Sequence, residues 1–590
     1  MIPCCLWLRL LVAGLAAVPL LAAAELPGPV GTDAARRSRQ PRTVLDLQPC
    51  LRADTAAVHD GTGRRGTAIL VDLSPAAASW YLLQLRWPDG STSEHHLQNP
   101  EPRRARVLLD PAYPNGLVLE GQGGRREPCD LWSGSDSPLT STKPARSPYT
   151  PLCGGRLYLR NTTAGHKTSK EWATDFLRDY VPGGERIASF VRDLYVDVFA
   201  TTSELLDPAL ATGGQAPGLD PGSPAPPLVD PRFAGQVVLT PDLGIDVGTP
   251  TPGHLEVGRW YRALGAPPGV FVSAFQPQVV DADVLARQKG LVNPLDATEE
   301  AAMVYLVAFD LTRLELGYSV GTEHPRVDWS DRIRPEMRDP SLPGPDGIAS
   351  VDPLVRTGIL PPYLGRRAVA AFTGGFKRFH GAFRWGDLAT ANRGSHYGFM
   401  EQGVIMSRLQ PGLATAIVYV DGTADLKTWR RADEGDLCRI RHARQNGVAI
   451  VEPDAATGVV RPGALVRRTG PGNWSGSVDG KFRTLRAGIG LQDENGRPFL
   501  IYGYFSAATA SAMARVFQAY RCRYAMLTDM NAFEHTYLAL YRATDAGLDL
   551  ENLVTGMSAL DKVSQDQVVP RFLGYADNRD FFYLVRKEVP

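Results

Sequence analysis

Short alternating runs of apolar and polar residues fill the first part of the chain and predict β-strands. Turn residues such as Pro88-Asp89-Gly90 separate these runs. The runs are Thr67–Leu73, Trp80–Trp87, Arg106–Leu109 and Leu117–Glu120. Period-two patterning with frequent turns is typical of antiparallel sheets packed face to face. The pattern predicts a small β-sandwich over residues 40–135.

A helical pattern follows this β-rich region. Thr168 and Glu171 have the spacing of a capping box, and one helical face then carries Trp172, Phe176, Leu177 and Tyr180. A second amphipathic stripe runs from residue 187 to 198. We expect a short helical segment over 150–206 that packs between domains, although a partner-binding or membrane-surface role stays open. Residues 207–231 are rich in Pro, Gly and Ala and predict a linker.

The rest of the chain combines apolar strands with one well-formed helix. The run Met303–Leu311 is almost continuously apolar, which is typical of a strand buried on both faces. A helix capped by Ser506 runs to about Tyr520, and the strand Tyr524–Thr528 follows it. Further strands are predicted at 236–239, 269–275, 314–318, 368–372, 414–420, 485–490 and 499–504. The fold class is therefore α+β, with a mixed, β-rich domain over residues 232–590.

The charge composition argues against a nucleic-acid partner. The chain of 590 residues carries 63 basic and 63 acidic side chains, so its formal net charge is zero. No basic field is available to attract DNA or RNA, and nucleic acid is not an expected partner. Only nine of the basic residues are lysine, which together with the many Gly, Pro and Ala residues is typical of a GC-rich bacterial gene.

The N-terminus predicts export. Arg9 precedes the apolar run Leu10–Ala24, which ends in three alanines before Glu25. This run of about 15 residues is shorter than the ~20 that span a bilayer, and its small-residue end suits signal peptidase. Residues 1–24 are thus a predicted signal peptide, with an uncleaved anchor as the alternative. We expect a secreted or periplasmic protein without a transmembrane segment in the mature chain.

Five cysteines remain after the signal peptide, and export permits them to form disulfides. They are Cys50, Cys129, Cys153, Cys438 and Cys522. Pairing Cys50 with Cys129 or Cys153, and Cys438 with Cys522, would keep each bond within one domain. The spacing contains no CxxC and is too scattered for a structural zinc site. Structural pairing is favoured over a catalytic thiol, and one cysteine must stay single.

The last 220 residues contain an ordered series of motifs, whereas HExxH, GxSxG and P-loop motifs are absent from the sequence. A small-residue strand runs into Thr373-Gly374-Gly375-Phe376, where paired glycines permit close approach of the backbone. A hairpin turn follows at Asp421-Gly422. The strand Arg486–Gly490 comes next, and the helix and final strand end at Thr528-Asp529-Met530-Asn531.

This order resembles the phosphodiester glycosidase family of the uncovering-enzyme type over residues 253–541. The residues that match the family pattern are Gly374, Gly375, Phe376, Arg486, Gly488, Gly490 and Asp529. The chain departs from the pattern at Thr373, where the family has Asn, and at residues 530–532, where the family has a glycine run. His535-Thr536 stands near the position of the family's hydroxyl residue. The resemblance implies an α+β fold and hydrolysis of a sugar phosphodiester.

Cleavage of such a bond needs a carboxyl group at the sugar and cationic or N–H donors at the phosphate, which leaves as an anion. We assign the carboxylate role to Asp529 and a second acid or base to Glu534 or Glu401, with His535 beside them. The expected substrate-binding residues are Thr373, Gly374, Gly375, Lys377, Arg378, His380, His396, Arg486 and Asn531. No metal or cofactor is assigned, and Asp242 and Asp246 lack the spacing of an EF-hand.

Each of these residues also has a structural explanation. Asp529 can form an ordinary turn, Arg486 a buried ion pair, and Lys377 a solvated loop charge. The leading hypothesis is a hydrolase of a sugar phosphodiester in an envelope or exported glycan. The alternative is a catalytically degenerate exported protein that binds glycan or another protein on the same scaffold. A third is a disulfide-stabilised structural protein without a pocket.

Overall fold

The computed structural model is β-rich with few helices, which confirms the α+β prediction. All strand pairs within the described residues are antiparallel, and tight turns or short connections join many neighbours. The structure describes residues 42–132, 139, 147–181, 203, 205–206, 222–249, 251–330, 333–378, 388–389, 397–467, 482–544, 547–565 and 567–588. The signal-like segment, the second amphipathic stripe and most of the predicted linker lie outside these residues.

Nine strands in the described part of residues 42–160 form two sheets. A six-stranded sheet has the order β1-β2-β3-β4-β9-β8, and a three-stranded sheet has the order β5-β6-β7. Their facing side chains share one apolar core, as in a sandwich. The strands are β1 (Arg52–His59), β2 (Arg65–Asp72), β3 (Trp80–Arg86), β4 (Thr92–Gln98), β5 (Ala105–Leu108), β6 (Gly116–Gly121), β7 (Arg126–Asp130), β8 (Tyr149–Leu152) and β9 (Leu157–Arg160).

Strand β3 explains how this sandwich is attached to the rest of the chain. Tyr81, Leu83 and Leu85 contribute to the sandwich core. Trp80 and Leu82, which alternate with them, belong to the large core of the C-terminal region. Because successive side chains of a strand point to opposite faces, the six-stranded sheet lies between two apolar layers. Its central strand is therefore apolar at almost every position.

The strands described in the C-terminal region form three larger sheets. Their orders are β13-β14-β15-β26-β25-β27-β23-β24, β16-β32-β17-β28-β29 and β19-β18-β22-β20-β21. Smaller sheets have the orders β10-β11-β12 and β30-β31. The strands are β10 (Leu205–Leu206), β11 (Val237–Leu239), β12 (His254–Glu256), β13 (Tyr261–Arg262), β14 (Val270–Phe275), β15 (Val304–Asp310), β16 (Leu314–Ser319), β17 (Ala368–Thr373), β18 (Phe399–Glu401), β19 (Val404–Ser407), β20 (Ala414–Tyr419), β21 (Ala424–Thr428), β22 (Ile440–Gln445), β23 (Ala449–Pro453), β24 (Val460–Pro462), β25 (Thr484–Glu494), β26 (Arg497–Ala508), β27 (Tyr524–Met530), β28 (Leu538–Thr544), β29 (Gly547–Asn552), β30 (Lys562–Ser564), β31 (Gln567–Val569) and β32 (Phe581–Arg586).

Four α-helices accompany the strands within the described part of the chain. They are α1 (Ser169–Tyr180), α2 (Ala282–Arg287), α3 (Ala297–Glu300) and α4 (Ala510–Ala519). Helix α4 packs on the eight-stranded sheet through an apolar face that includes Met513 and Phe517. Its N-cap is Thr509 rather than the predicted Ser506, because β26 continues through Ser506 to Ala508.

Helix α1 has the predicted capping box, with Thr168 accepting a hydrogen bond from the Glu171 main-chain N–H. The predicted apolar face of this helix is not its buried side. Trp172 is 61% exposed and Phe176 is 45% exposed, whereas the side chain of Glu171 is buried. The helix faces inward through Glu171 because this carboxylate has a buried arginine as its partner.

The cysteine pairing differs from both predicted pairings. Cys50 bonds to Cys438 and Cys129 bonds to Cys153, whereas Cys522 is a buried free thiol. The prediction that each bond stays within one domain was wrong for Cys438. The segment before β1 lies against β19, where Gln48 exchanges two hydrogen bonds with the Ile405 main chain at 2.7 and 2.9 Å. Tertiary packing thus brings Cys50 to the C-terminal region.

Candidate functional site

A buried cluster of charged side chains lies where the end of β27 meets the segment before β32. Asp529 is the penultimate residue of β27, and Arg579 precedes β32. The Arg579 guanidinium donates to Asp529 Oδ2 at 2.8 Å and to His535 Nε2 at 2.7 Å. Its Nε donates to Glu171 Oε1 of helix α1 at 2.5 Å. One arginine therefore fixes three titratable side chains from three segments.

The environment of Asp529 changes the acidity of its carboxyl group. Its side chain is almost completely buried, and its Oδ1 accepts the Met530 main-chain N–H at 2.8 Å. Burial raises the pKa of Asp529 to about 7, although the positive charge of Arg579 and the main-chain hydrogen bond act against that rise. A carboxyl group with a pKa near 7 can both accept and donate a proton, as general acid–base catalysis requires.

His535 is the most accessible member of the cluster, with 22% of its side chain exposed. Its Nδ1 lies 2.7 Å from the Met530 carbonyl oxygen, so Nδ1 carries the proton and donates. Its Nε2 then accepts from Arg579, which assigns the neutral tautomer. Burial, followed by the charge of Arg579, lowers the pKa of His535 well below its usual value. His535 is therefore a neutral hydrogen-bonding group at neutral pH.

Helix α1 supplies the acidic partners of the cations in this region. Burial opposes ionisation of Glu171, but Arg579 and Lys377 outweigh it and hold the pKa of this carboxyl well below its usual value. One turn later, Asp175 Oδ2 accepts from Lys377 Nζ at 2.9 Å and lies 2.6 Å from Lys167 Nζ. The i,i+4 spacing of the two acids places both on one side of the helix. Lys377 is thus an ion-pair partner and not a solvated loop charge.

The glycine pair after β17 packs against a second buried charge network. Arg444 Nε donates to Asp580 Oδ2 at 2.6 Å, and the Tyr318 hydroxyl donates to the same oxygen at 3.0 Å. A Cβ atom on Gly374 would lie 2.7 Å from Asp580 Oδ2, and one on Gly375 would lie 2.9 Å from Arg444 Nη2. The glycines therefore leave space for this ion pair.

The strand that carries the Arg486–Gly490 motif holds its arginine on main-chain carbonyls. Arg486 Nε donates to the Ala508 oxygen at 2.7 Å, and Nη2 donates to the Phe482 oxygen at 3.0 Å. Asn531 follows β27 with a φ of +84°, and its side chain accepts from Thr484 at 3.1 Å. Both residues therefore connect β25 to its neighbours in the described structure.

The other predicted site residues are divided between the cluster and its surroundings. Thr373 donates to the Glu534 carbonyl oxygen at 3.4 Å, and Arg378 forms an ion pair with Asp346 at 2.5 Å. Glu401 accepts hydrogen bonds from Ser319 and Val320 at 3.1 and 3.0 Å, and burial raises its pKa. These contacts connect Glu401 to β16 and its end. His380 and His396 lie outside the described residues.

Four residues of the two networks were absent from the sequence predictions: Glu171, Arg444, Arg579 and Asp580. A usable signal existed for two of them, because Arg579 and Asp580 directly precede the apolar run Phe581–Val585. Charged residues beside a buried strand need a partner, so their presence there indicates a buried ion pair. Glu171 was identified only as a capping residue, and no local pattern indicates that it contacts Arg579.

A cleft with a volume of about 700 Å³ lies beside the cluster. Helix α1 forms one wall through Trp172, Asp175 and Phe176, and Lys377 and Arg378 form another part. Asp529 is not among the described residues that line it.

Within the described residues, no group of three or more His, Cys, Asp and Glu side chains is arranged to hold a metal ion. No helix of the described part of the chain is long and apolar enough to cross a membrane.

Comparison with known proteins gives one distant structural similarity to report. No family model matches the chain, and no curated protein matches it. Among solved structures, the catalytic domain of zebrafish N-acetylglucosamine-1-phosphodiester alpha-N-acetylglucosaminidase, auto-inhibited by its pro-peptide, is similar with 12% sequence identity. The match covers 55% of this chain and 85% of that chain, with a TM-score of 0.28. These values describe a distant structural relationship and do not identify an activity.

Proposed function

We propose that the protein is an exported hydrolase that cleaves the glycosidic bond of a sugar phosphodiester. The observation that carries this proposal is the buried carboxyl of Asp529, with a pKa of about 7 between the fixed Arg579 and the neutral His535. A carboxyl poised near neutrality beside a fixed cation is typical of acid–base chemistry with an anionic leaving group. The signal-like N-terminus and two disulfides support export to the periplasm or the medium.

In the proposed reaction, water attacks the anomeric carbon and gives a proton to the Asp529 carboxylate. The bond between the anomeric carbon and the phosphate oxygen breaks, and its electron pair leaves with the phosphate. The products are the free sugar and a phosphomonoester. Because the phosphate leaves as an anion, cations matter more than an acid at the leaving oxygen. Lys377, on the cleft wall, is the proposed contact for that charge.

The test is hydrolysis of a nitrophenyl-linked N-acetylglucosamine phosphodiester by the purified mature protein. We expect turnover in the wild type and a loss of at least 100-fold in Asp529→Asn, within the range of general acid–base catalysis. Asp561→Asn is the control, because Asp561 is a half-buried carboxyl outside the cluster that accepts hydrogen bonds from Tyr537 and Asn552. Circular dichroism establishes that both variants are folded. Full turnover in folded Asp529→Asn would remove this carboxyl from the mechanism.

A second function, glycan or protein binding without catalysis, is favoured by a specific observation. Asp529 is not among the described residues that line the cleft. The guanidinium of Arg579, which contacts Asp529, is also bonded to Glu171 of helix α1 and is therefore not open to a substrate phosphate. The departures from the family pattern at residues 373 and 530–532 support the same alternative. Binding of a sugar phosphate without turnover, in protein with intact disulfides, would select this second function.

A further inference from the structure

A second pocket lies between the segment that precedes helix α1 and the hairpin β30–β31. Its volume of about 450 Å³ is within the range of roughly 300–1,000 Å³ that is usual for ligand pockets. It is lined by residues 163–166, Lys562, residues 574–576, Pro148 and Ile359. None of these residues also lines the cleft beside helix α1, so the two sites are distinct in the described part of the chain.

The wall of this pocket is fixed by contacts within the protein. The His166 main-chain N–H donates to the Ala576 carbonyl oxygen at 2.7 Å, and the Asn578 N–H donates to the His166 carbonyl oxygen at 3.1 Å. The His166 ring lies edge-on to the Tyr575 ring with a centroid distance of 5.2 Å, and the Tyr575 hydroxyl donates to the Leu560 carbonyl oxygen at 2.5 Å. Because both rings are already held in place, binding does not have to order them.

Lys562 gives the pocket a positive charge. Its Nζ lies 3.9 Å from the centroid of the Tyr575 ring. The ring is neutral, so it attracts the ammonium group without cancelling its charge. No Asp or Glu is among the described residues that line the pocket, and no described carboxylate lies within ion-pair distance of Lys562. An anion that enters the pocket therefore meets a cation that is not already paired with a carboxylate.

The charge of Lys562 acts on the other titratable group that lines the pocket. Burial, followed by the charge of Lys562, lowers the pKa of His166. The charge of Arg571 acts in the same direction, whereas Asp577 and Glu171 act against it. An anion bound to Lys562 would offset the positive charge that His166 experiences and so raise the pKa of His166. This response gives a direct signal for occupation of the pocket.

We propose that this pocket binds an organic monocarboxylate with an apolar body, whose carboxylate contacts Lys562. One lysine matches a single negative charge, whereas a phosphate dianion is usually held by several donors or by an arginine fork. Pro148, Ile359 and Ala164 provide an apolar wall for the body of the ligand. The proposal is independent of the proposed hydrolase activity, because it concerns a different site.

The test is a nuclear magnetic resonance titration of the mature protein with isotope-labelled histidine. The probes are phenylacetate, its neutral isostere phenylacetamide, and inorganic phosphate, and loss of a signal in His166→Gln assigns the His166 resonance. We expect phenylacetate to shift this resonance saturably and to raise the pKa of His166. Phenylacetate should bind at least fivefold more tightly than phenylacetamide or phosphate, because only phenylacetate combines the charge with the apolar body.

Two variants separate the charge of the pocket from its shape. Lys562→Met should weaken binding of phenylacetate at least fivefold, raise the pKa of His166 in the absence of the probe, and abolish its response to the probe. Ala164→Phe places a large side chain at an exposed lining position and should also weaken binding, although Lys562 is retained. Lys289→Met is the matched control, because it removes an exposed lysine outside the pocket and should bind phenylacetate as the wild type does.

Four results would overturn the site. They are absence of saturable binding of phenylacetate, equal affinity for phenylacetate and phenylacetamide, equal affinity of Lys562→Met and the wild type, or tighter binding of phosphate than of phenylacetate. Binding of phenylacetate that leaves the His166 resonance unchanged would place the ligand elsewhere and contradict the proposal in the same way.

Discussion

Arg579 Nη1 lies 2.8 Å from Asp529 Oδ2, and both side chains are buried. The pair joins the end of β27 to the segment before β32, which belong to two different sheets. Moving two charges out of water costs more than a single ion pair returns unless further hydrogen bonds satisfy both groups. Arg579 meets this requirement with additional bonds to Glu171 and His535. The arrangement therefore fixes the orientation of Asp529 rather than adding much net stability.

Removal of this arginine should destabilise the protein strongly. Arg579→Met leaves Asp529 and Glu171 buried without their cation, and breaking one side of a buried pair costs about 3–5 kcal/mol. Urea unfolding at pH 7 measures the loss in free energy of unfolding. The control is Arg523→Met, because its ion pair with Asp425 is partly exposed to solvent and such pairs contribute about 1 kcal/mol or less. Equal losses in the two variants would show that Asp529 and Glu171 do not depend on Arg579.

The elevated pKa of Asp529 predicts a specific dependence of stability on pH. Burial raises this pKa from 3.8 to about 7, so between these values the folded protein binds a proton that the unfolded chain releases. The resulting contribution is fully present below about pH 4 and is lost as pH rises through 7. At ~1.4 kcal/mol per pKa unit, the loss is roughly 2–4 kcal/mol.

Asp529→Asn isolates this effect, because asparagine does not titrate. We expect the wild type to lose stability relative to Asp529→Asn between pH 4 and pH 8, measured as free energy of unfolding in urea. The difference between the two proteins cancels the opposite effect of buried histidines such as His535, whose lowered pKa reduces stability as pH falls. Asp310→Asn is the control: burial raises the pKa of Asp310, but Thr312 and Arg497 outweigh it, so its effect belongs below about pH 4. If the difference in free energy of unfolding between the wild type and Asp529→Asn did not change from pH 4 to pH 8, the elevated pKa of Asp529 would be contradicted.

The glycine loop offers a test of packing alone. In Gly375→Ala the new Cβ would lie 2.8 Å from Asn446 Oδ1 and 2.9 Å from Arg444 Nη2, so buried groups must move. Overpacking of this kind costs about 1–3 kcal/mol, and the melting temperature should fall accordingly. Gly365→Ala is the matched control, because no atom lies within 4 Å of its added Cβ. Equal melting temperatures for Gly375→Ala and Gly365→Ala would show that the loop can accommodate a Cβ atom at residue 375 without loss of stability.

The sequence predicted elements more successfully than contacts between them. Periodicity placed the strand Met303–Leu311 and helix α4 within a few residues, because each pattern is local. The contact of Glu171 with Arg579 spans 408 residues and depends on the whole fold. Asp529 was identified as a site candidate because it lies at a strand end and matches the motif aspartate of the family that the sequence resembles. The position of Asp529 relative to the cleft could not be predicted from the sequence, because it depends on helix α1, which packs with its polar side facing inward.

The two disulfides differ in the length of chain that they close, and this difference predicts how much each one stabilises the fold. The Cys50–Cys438 bond closes a sequence separation of 388 residues, and the Cys129–Cys153 bond closes 24. Since loop-closure entropy grows with loop length, removal of the long-range bond by paired alanine substitutions should cost more, with losses of about 2–5 kcal/mol for either bond. Urea unfolding compares the two double variants, and mass spectrometry of unreduced peptides identifies the bonds.

The Cys522 thiol, whose pKa burial raises, should react with iodoacetamide only after unfolding. A peptide that links Cys438 to Cys522, or rapid alkylation of Cys522 in the folded protein, would show that the chain is joined differently.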